Sequence, residues 1–313
     1  MVNLGVMNEL YRLDIEQLPN QQAPLGLPMI ATLTGFLDTG NAAVQVTEHL
    51  LGKLEATPVV HFALDEMYDY RARRPLAVFD QDHLSEYHLP TLQIDLVVDE
   101  AGAQFWLLHG VEPDTRWQGF AAAVEGFVRD WQVSSYTWMH SIPMPVPHTR
   151  PVQVTVSGNR RELIERLSVW RPRTQVPSNV LHFLEYQLSR SGVDCAGFVL
   201  LVPHYIGENS HPDAAVKALE CIAAATGLLL PTDELREAGR SFLGQLAAQM
   251  EQNEELSTLV STLEERHDAY MAGNETTAVP TDSFEVPDGD QLAAEWEQFL
   301  ANRPQRDTPG LSD

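Results

Sequence analysis

Three loops of this chain carry residues able to do acid–base or ligand chemistry: residues 35–41, 109–114 and 203–211. In the first, Asp38 and Asn41 stand beside Gly35 and Gly40. In the second, His109 and Glu112 flank Gly110, a histidine–carboxylate pair of the kind general acid–base catalysis uses. His204 and His211 belong to the third. His148 and Arg150 lie in a proline-rich crossing at 143–151, and Arg150 is the residue able to contribute to a phosphate site. Gly35, Asp38, Gly40, Asn41, His109, Gly110, Glu112, His148 and Arg150 therefore form the candidate pocket.

Against each stands a plainer role. The loop at 35–41 has neither the GxGxxG nor the GxxxxGK[ST] pattern, and Asp38 at a helix N-terminus would repel an anion. Asp38 is better suited to capping backbone donors, and Asn41 has the type expected of a helix N-cap. The histidines show no His-Glu-x-x-His or i, i+4 spacing, so no metal site is assigned. No GxSxG elbow and no Cys–His signature is present. No residue is assigned as catalytic, and no cofactor is implied.

These loops need rigid elements to hold them. Residues 28–33 are a continuous apolar run, and from Ala43 the apolar positions recur at helical spacing. The unit reads strand, glycine-containing turn, helix. Further strands are expected at 57–62, 92–98, 104–108, 136–142, 152–156 and 197–202, the second and third of these joined as a hairpin. Helices are expected at 117–131, 180–188 and 213–226, the last ending at Gly227. Strands alternating with helices predict a largely parallel sheet covered by helices, with ligand groups at the strand ends. Residues 1–26 read as irregular lead-in. Residues 64–80 read as a polar, aromatic surface segment with a basic turn at Arg71, Arg73 and Arg74, where Tyr68 and Tyr70 stand close by.

The last quarter differs. Residues 241–271 predict one long polar helix, 272–290 a linker, and 292–300 a short amphipathic helix with Trp296, Phe299 and Leu300 as candidate partner contacts. Between residues 232 and 313 there are 18 acidic and 5 basic residues, a net of −13 out of −24 for the chain. The expected division is an α/β core at 1–235 and an acidic helical extension at 236–313. A charge of −24 opposes tracking of nucleic-acid phosphates or binding to an anionic membrane surface. No apolar run is long enough to span a bilayer and no signal peptide is read at the N-terminus, so a cytoplasmic location is expected. The two cysteines, Cys195 and Cys221, fall in different elements and predict buried thiols.

Four motifs occur in order: residues 35–43 (Gly-Phe-Leu-Asp-Thr-Gly-Asn-Ala-Ala), Tyr68-Asp69-Tyr70-Arg71 with Arg74-Pro75, residues 110–113 (Gly-Val-Glu-Pro), and residues 147–151 (Pro-His-Thr-Arg-Pro). Together they resemble the proteasome-assembly-chaperone-two family, in its prokaryotic, actinobacterial-type branch, over residues 28–235. The resemblance implies a three-layer α/β/α sandwich similar to the purine nucleoside phosphorylase fold. It implies homo-oligomers, a trimer among them, and in eukaryotic and archaeal members a role in assembling the proteasome core particle. Members that dock on the α-ring often end in a hydrophobic–tyrosine–any tail; here the sequence closes on Gly310-Leu311-Ser312-Asp313, which lacks the tyrosine.

Two functions follow. The favoured one is a non-enzymatic chaperone-like adaptor for the proteasome or another large assembly. The alternative is a phosphorylase- or hydrolase-like enzyme, or a ligand sensor, using Asp38, His109 and Glu112 at the sheet edge.

Overall fold

The computed structural model describes residues 9–14, 16, 18, 24–171, 173–207 and 209–274. Its strands are β1 (Tyr11–Leu13), β2 (Pro28–Thr34), β3 (Glu55–Phe62), β4 (Leu76–Asp80), β5 (His83–His88), β6 (Leu92–Val98), β7 (Gln104–Val111), β8 (Ser135–Met144), β9 (Gln153–Gly158) and β10 (Asp194–Pro203). Its helices are α1 (Ala42–Lys53), α2 (Trp117–Asp130), α3 (Arg161–Leu167), α4 (Val180–Arg190), α5 (Pro212–Thr226), α6 (Asp233–Gln252) and α7 (Glu254–Asn274).

Eight strands make one sheet in the order β1-β3-β6-β7-β2-β8-β10-β9. The central four, β7, β2, β8 and β10, run parallel. The flanks are antiparallel, so the expected parallel sheet forms the centre and antiparallel strands border it. The β6–β7 turn shows why: Asp99 accepts from the N–H groups of Ala101 and Ala103, and so short a connection can only return the chain antiparallel.

The four central strands bury both faces, and two apolar clusters result. Trp106, Trp138 and Leu108 face Phe120, Val124 and Phe127 of α2 and Leu181, Leu184 and Leu188 of α4. Ile30, Phe105 and Phe198 face Val46 and Leu50 of α1 and Ala215, Leu219 and Ile222 of α5. The architecture is the expected α/β/α sandwich. Cys195 and Cys221 are both buried, and burial pushes their thiols up to about 12 and about 11.

Four local expectations are corrected. The lead-in contains β1, three residues too short to show alternation, which pairs with β3 at the sheet's edge. The surface segment continues into a β4–β5 hairpin whose turn is made by Gln81 at φ 54, without the glycine that marks such turns. Helix α3 was hidden by its seven-residue length. The single long helix is two, broken at Asn253, whose extended backbone (φ −134, ψ 98) ends α6 while its side chain accepts from Leu256 N–H at 3.1 Å.

Helix α6 spans residue 235, the expected end of the core, and it packs on α5. Leu235 is buried, and Arg236 Nη2 reaches Glu220 at 2.6 Å. Helix α7 takes in residues 272–274 of the expected linker. The rest of that linker, and Trp296, Phe299 and Leu300, lie outside the described residues.

Candidate functional site

The loop after β2 turns at Gly35 (φ +115) and Gly40 (φ +74), conformations that favour glycine. Between them Asp38 accepts from Ala43 N–H at 2.9 Å, Val44 N–H at 3.3 Å and the Ser141 hydroxyl at 2.8 Å. Asp38 is thus the cap of α1, and it also ties that helix to β8. Asn41 is not the side-chain cap: its backbone is left-handed (φ 50) and it makes no capping bond. The 3₁₀ turn Thr39–Asn41 carries Asp38 under the free N–H groups instead.

The same loop meets the segment before α5. His211 N–H donates to the Gly40 carbonyl at 2.8 Å, and Asn41 Nδ2 lies 3.5 Å from Ser210 Oγ. His211 is only 1% exposed, and neither ring nitrogen has a hydrogen-bond partner within the described chain. Burial lowers its pKa to about 4, with His148 adding a smaller push in the same direction. The Tyr205 hydroxyl lies 2.7 Å from both the backbone N and Nδ1 of His148. It accepts from the first and is placed to donate to the second. Burial lowers the His148 pKa and raises that of Tyr205 to about 12. Arg150 is held by α7, with Nη2 at 2.6 Å from Asp268 and Nη1 at 3.1 Å from Glu264.

A second cluster lies on the α4 side of the sheet. Glu112 Oε1 accepts from Val180 N–H at 2.5 Å, at the start of α4. Arg73 Nη2 donates to the Glu112 carbonyl at 2.6 Å and pairs with Asp114 at 2.7 Å. Burial raises the Glu112 pKa, opposed by the Val180 N–H and by Arg73. A Cβ on Gly35 would run into the Arg73 guanidinium, so that glycine makes room for it. Nearby, His140 stacks on Trp138 and meets the His182 ring edge-on. Burial lowers the pKa of His140 to about 4, with His182 contributing.

The candidate pocket is therefore split by the sheet. Asp38, Gly40, Asn41, His148 and Arg150 gather with Tyr205 and His211 on the α1/α5 side, whereas Gly35 and Glu112 gather with Arg73 on the α4 side. His109 joins neither. It is a strand residue, not a turn residue, paired with Gln93 and Thr32 and buried beside Asp95 at 3.0 Å. Gly110 is the next-to-last residue of β7, and a Cβ there would fall on the Thr91 carbonyl. Among the described residues, no group of three or more His, Cys, Asp or Glu side chains could hold a metal ion. No described helix is long and apolar enough to cross a membrane.

The PAC2 family profile matches residues 32–250. The chain belongs to the PAC2 family. A solved Mycobacterium tuberculosis protein of unknown function, Rv2714, is 34% identical over 86% of this chain and 93% of its own, with a TM-score of 0.79. A Corynebacterium glutamicum protein of unknown function is 32% identical over 84% of this chain and 98% of its own, also at 0.79. The M. tuberculosis proteasome-assembly chaperone homologue Rv2125 shares the fold at 22% identity, covering 75% of this chain and all of its own at a TM-score of 0.68. No curated protein matches the chain.

In this PAC2 protein α6 packs on α5 and α7, α7 is tied to Arg150 and Gln153, and a cleft opens on either side of α6. One, of about 720 Å³, opens between residues 204–210 and Phe242, Leu246, Leu256 and Leu259. The other, of about 710 Å³, opens between residues 148–151 and Leu243, Ala247 and Met250. Several residues here escaped the sequence reading. His140 and Ser141 were readable as polar positions closing an apolar strand, and Tyr205 as part of the 203–211 loop, whereas nothing local marked His182.

Proposed function

We propose that this PAC2 protein is a non-enzymatic, chaperone-like adaptor that docks on a large protein assembly, the proteasome first among candidates, and acts in the cytoplasm as a homo-oligomer, a trimer being one form open to it. The observation that carries this reading is the β4–β5 hairpin. Every residue of both strands is exposed, including Leu76, Val78, Phe79, Leu84 and Tyr87. A two-stranded hairpin is marginal in water without a third element against it, and such apolar exposure marks an interaction surface. Arg71 and Arg74, exposed just before it, give that surface a basic border. The family and the description of Rv2125 as a proteasome-assembly chaperone homologue support the same direction. So does the engagement of Asp38, Glu112 and Arg150 in holding the chain's own helices.

Affinity capture of the tagged protein from its host's lysate at low and moderate salt tests this, beside a Phe79→Asp, Leu84→Asp variant. Proteasome subunits recovered at moderate salt by the parent and lost by the variant are the expected result. Recovery of the protein's own copies alone would sink the adaptor reading.

A further inference from the structure

The cleft of about 720 Å³ beside α6 presents Ile206, Phe242, Leu246, Leu256 and Leu259 from the His204 loop and both C-terminal helices. Its polar lining is mostly amide and hydroxyl, from Asn209, Ser210, Gln245, Gln249 and Asn253. It contains no arginine or lysine, so a phosphate-bearing or carboxylate ligand would find no cation to offset its desolvation. What fits is an apolar stripe whose flanks are polar.

The chain carries such a stripe. Leu292, Trp296, Phe299 and Leu300 follow i, i+4, i+7, i+8, one face of a helix, with Glu295, Glu297 and Gln298 elsewhere around it. Helix-in-groove recognition uses this spacing. The tether also has the right length. The cleft is lined by Leu256 and Leu259 near the start of α7, whose last residue is Asn274. Returning along the helix from Asn274 to Leu259 takes about 22 Å at 1.5 Å per residue. A flexible chain as long as residues 275–291 has an r.m.s. span of about 23 Å, and fully extended it reaches roughly 55 Å. A tether matched to its span gives an effective concentration of about millimolar, which a free partner of equal intrinsic affinity must exceed.

We infer that residues 292–300 seat in this cleft of their own chain, Trp296, Phe299 and Leu300 inserting between Phe242 and Leu256, so that the cleft is occupied in cis until something displaces the segment. The inference is independent of the adaptor reading, since it concerns the cleft and not the hairpin.

The test uses the full-length chain with Gln249→Cys and Glu295→Cys, treated with a short thiol-to-thiol cross-linker. The native Cys195 and Cys221 are buried and stay silent, as the chain without the two substitutions would confirm. A cross-link within one chain, lost when Trp296→Asp and Phe299→Asp are added, is expected. No cross-link, or a cross-link only between chains when the two cysteines are placed on separate molecules, overturns it. An apolar fluorescent dye gives a second reading free of substitutions in the core. It should bind the chain truncated after residue 290 at least several-fold more strongly than the full chain, and equal binding overturns the inference.

Discussion

The backbone N–H of His211 donates to the carbonyl of Gly40 at 2.8 Å, joining the loop after β2 to the segment that starts α5. Gly40 lies at φ +74, and a Cβ there would come within 2.8 Å of the His211 Cβ. Gly40→Ala therefore meets backbone strain and a clash together. The expected cost is about 1–3 kcal/mol, read as a lower denaturant midpoint with an unchanged slope. A midpoint equal to the parent's would show that the two loops separate without cost.

Asp38 holds Ala43, Val44 and Ser141 at once. Asp38→Ala should destabilise the fold by about 1–2 kcal/mol, as loss of a helix cap does. Asp38→Asn keeps an acceptor and should recover part of this. Equilibrium unfolding of the pair separates capping from charge. If both variants lose the same amount, the carboxylate's charge matters more than its acceptor geometry.

His140 and His211 are buried with pKa values lowered from 6.5 to about 4. Below pH 6.5 the unfolded chain takes up protons on these side chains and the folded chain does not. Stability therefore rises with pH between about 4 and 6.5, and is lost on acidification through that window. The ceiling is on the order of 3 kcal/mol for each histidine. Melting temperature measured from pH 7 to 4.5 should fall, and His211→Phe should flatten the curve. An unchanged curve would place the loss in other groups.

Arg150 pairs with Glu264 and Asp268 of α7, and all three are partly solvated. The guanidinium, hydrogen-bonded to Asp268, has its pKa raised, and that carboxyl's is lowered in turn. Screened pairs contribute little to global stability, so Arg150→Ala should leave the unfolding midpoint nearly unchanged. Hydrogen exchange should nevertheless speed up along α7 and not along α5. Uniform exchange across both helices would mean that apolar contacts such as Val260 and Leu263 alone hold α7 down.

In the purified chain, with no other partner present, the exposed β4–β5 hairpin should be covered by a second copy, the surface a partner assembly would otherwise take. Light scattering of the full chain is expected to give a multiple of the 34.9 kDa protomer, and Phe79→Asp with Leu84→Asp should shift it to one protomer while circular dichroism stays unchanged. A monomeric parent would remove the hairpin from consideration as a contact between copies.

The sequence by itself determined most of the scaffold. Apolar runs at residues 28–33 and 197–202 became β2 and β10 because a strand buried on both faces admits few polar residues. Helical spacing located α2, α4 and α5, and Pro212 and Gly227 marked the ends of α5 through fixed φ and positive φ. The four motifs were enough to indicate the family. Elements with little local signal were not legible: three residues of β1, the glycine-free turn at Gln81, and the break at Asn253.

Only the tertiary structure decided where the chemistry-bearing residues go. One position along β7 decides whether His109 ends a strand or is sealed inside the sheet beside Asp95. Glu112 became the partner of Val180, and Arg150 of Asp268, across sequence separations that no periodicity encodes. Side-chain spacing reports which face of its own element a residue occupies. Which other element covers that face is set by the packing of the whole chain, and that packing divided one expected pocket into two clusters on opposite sides of the sheet.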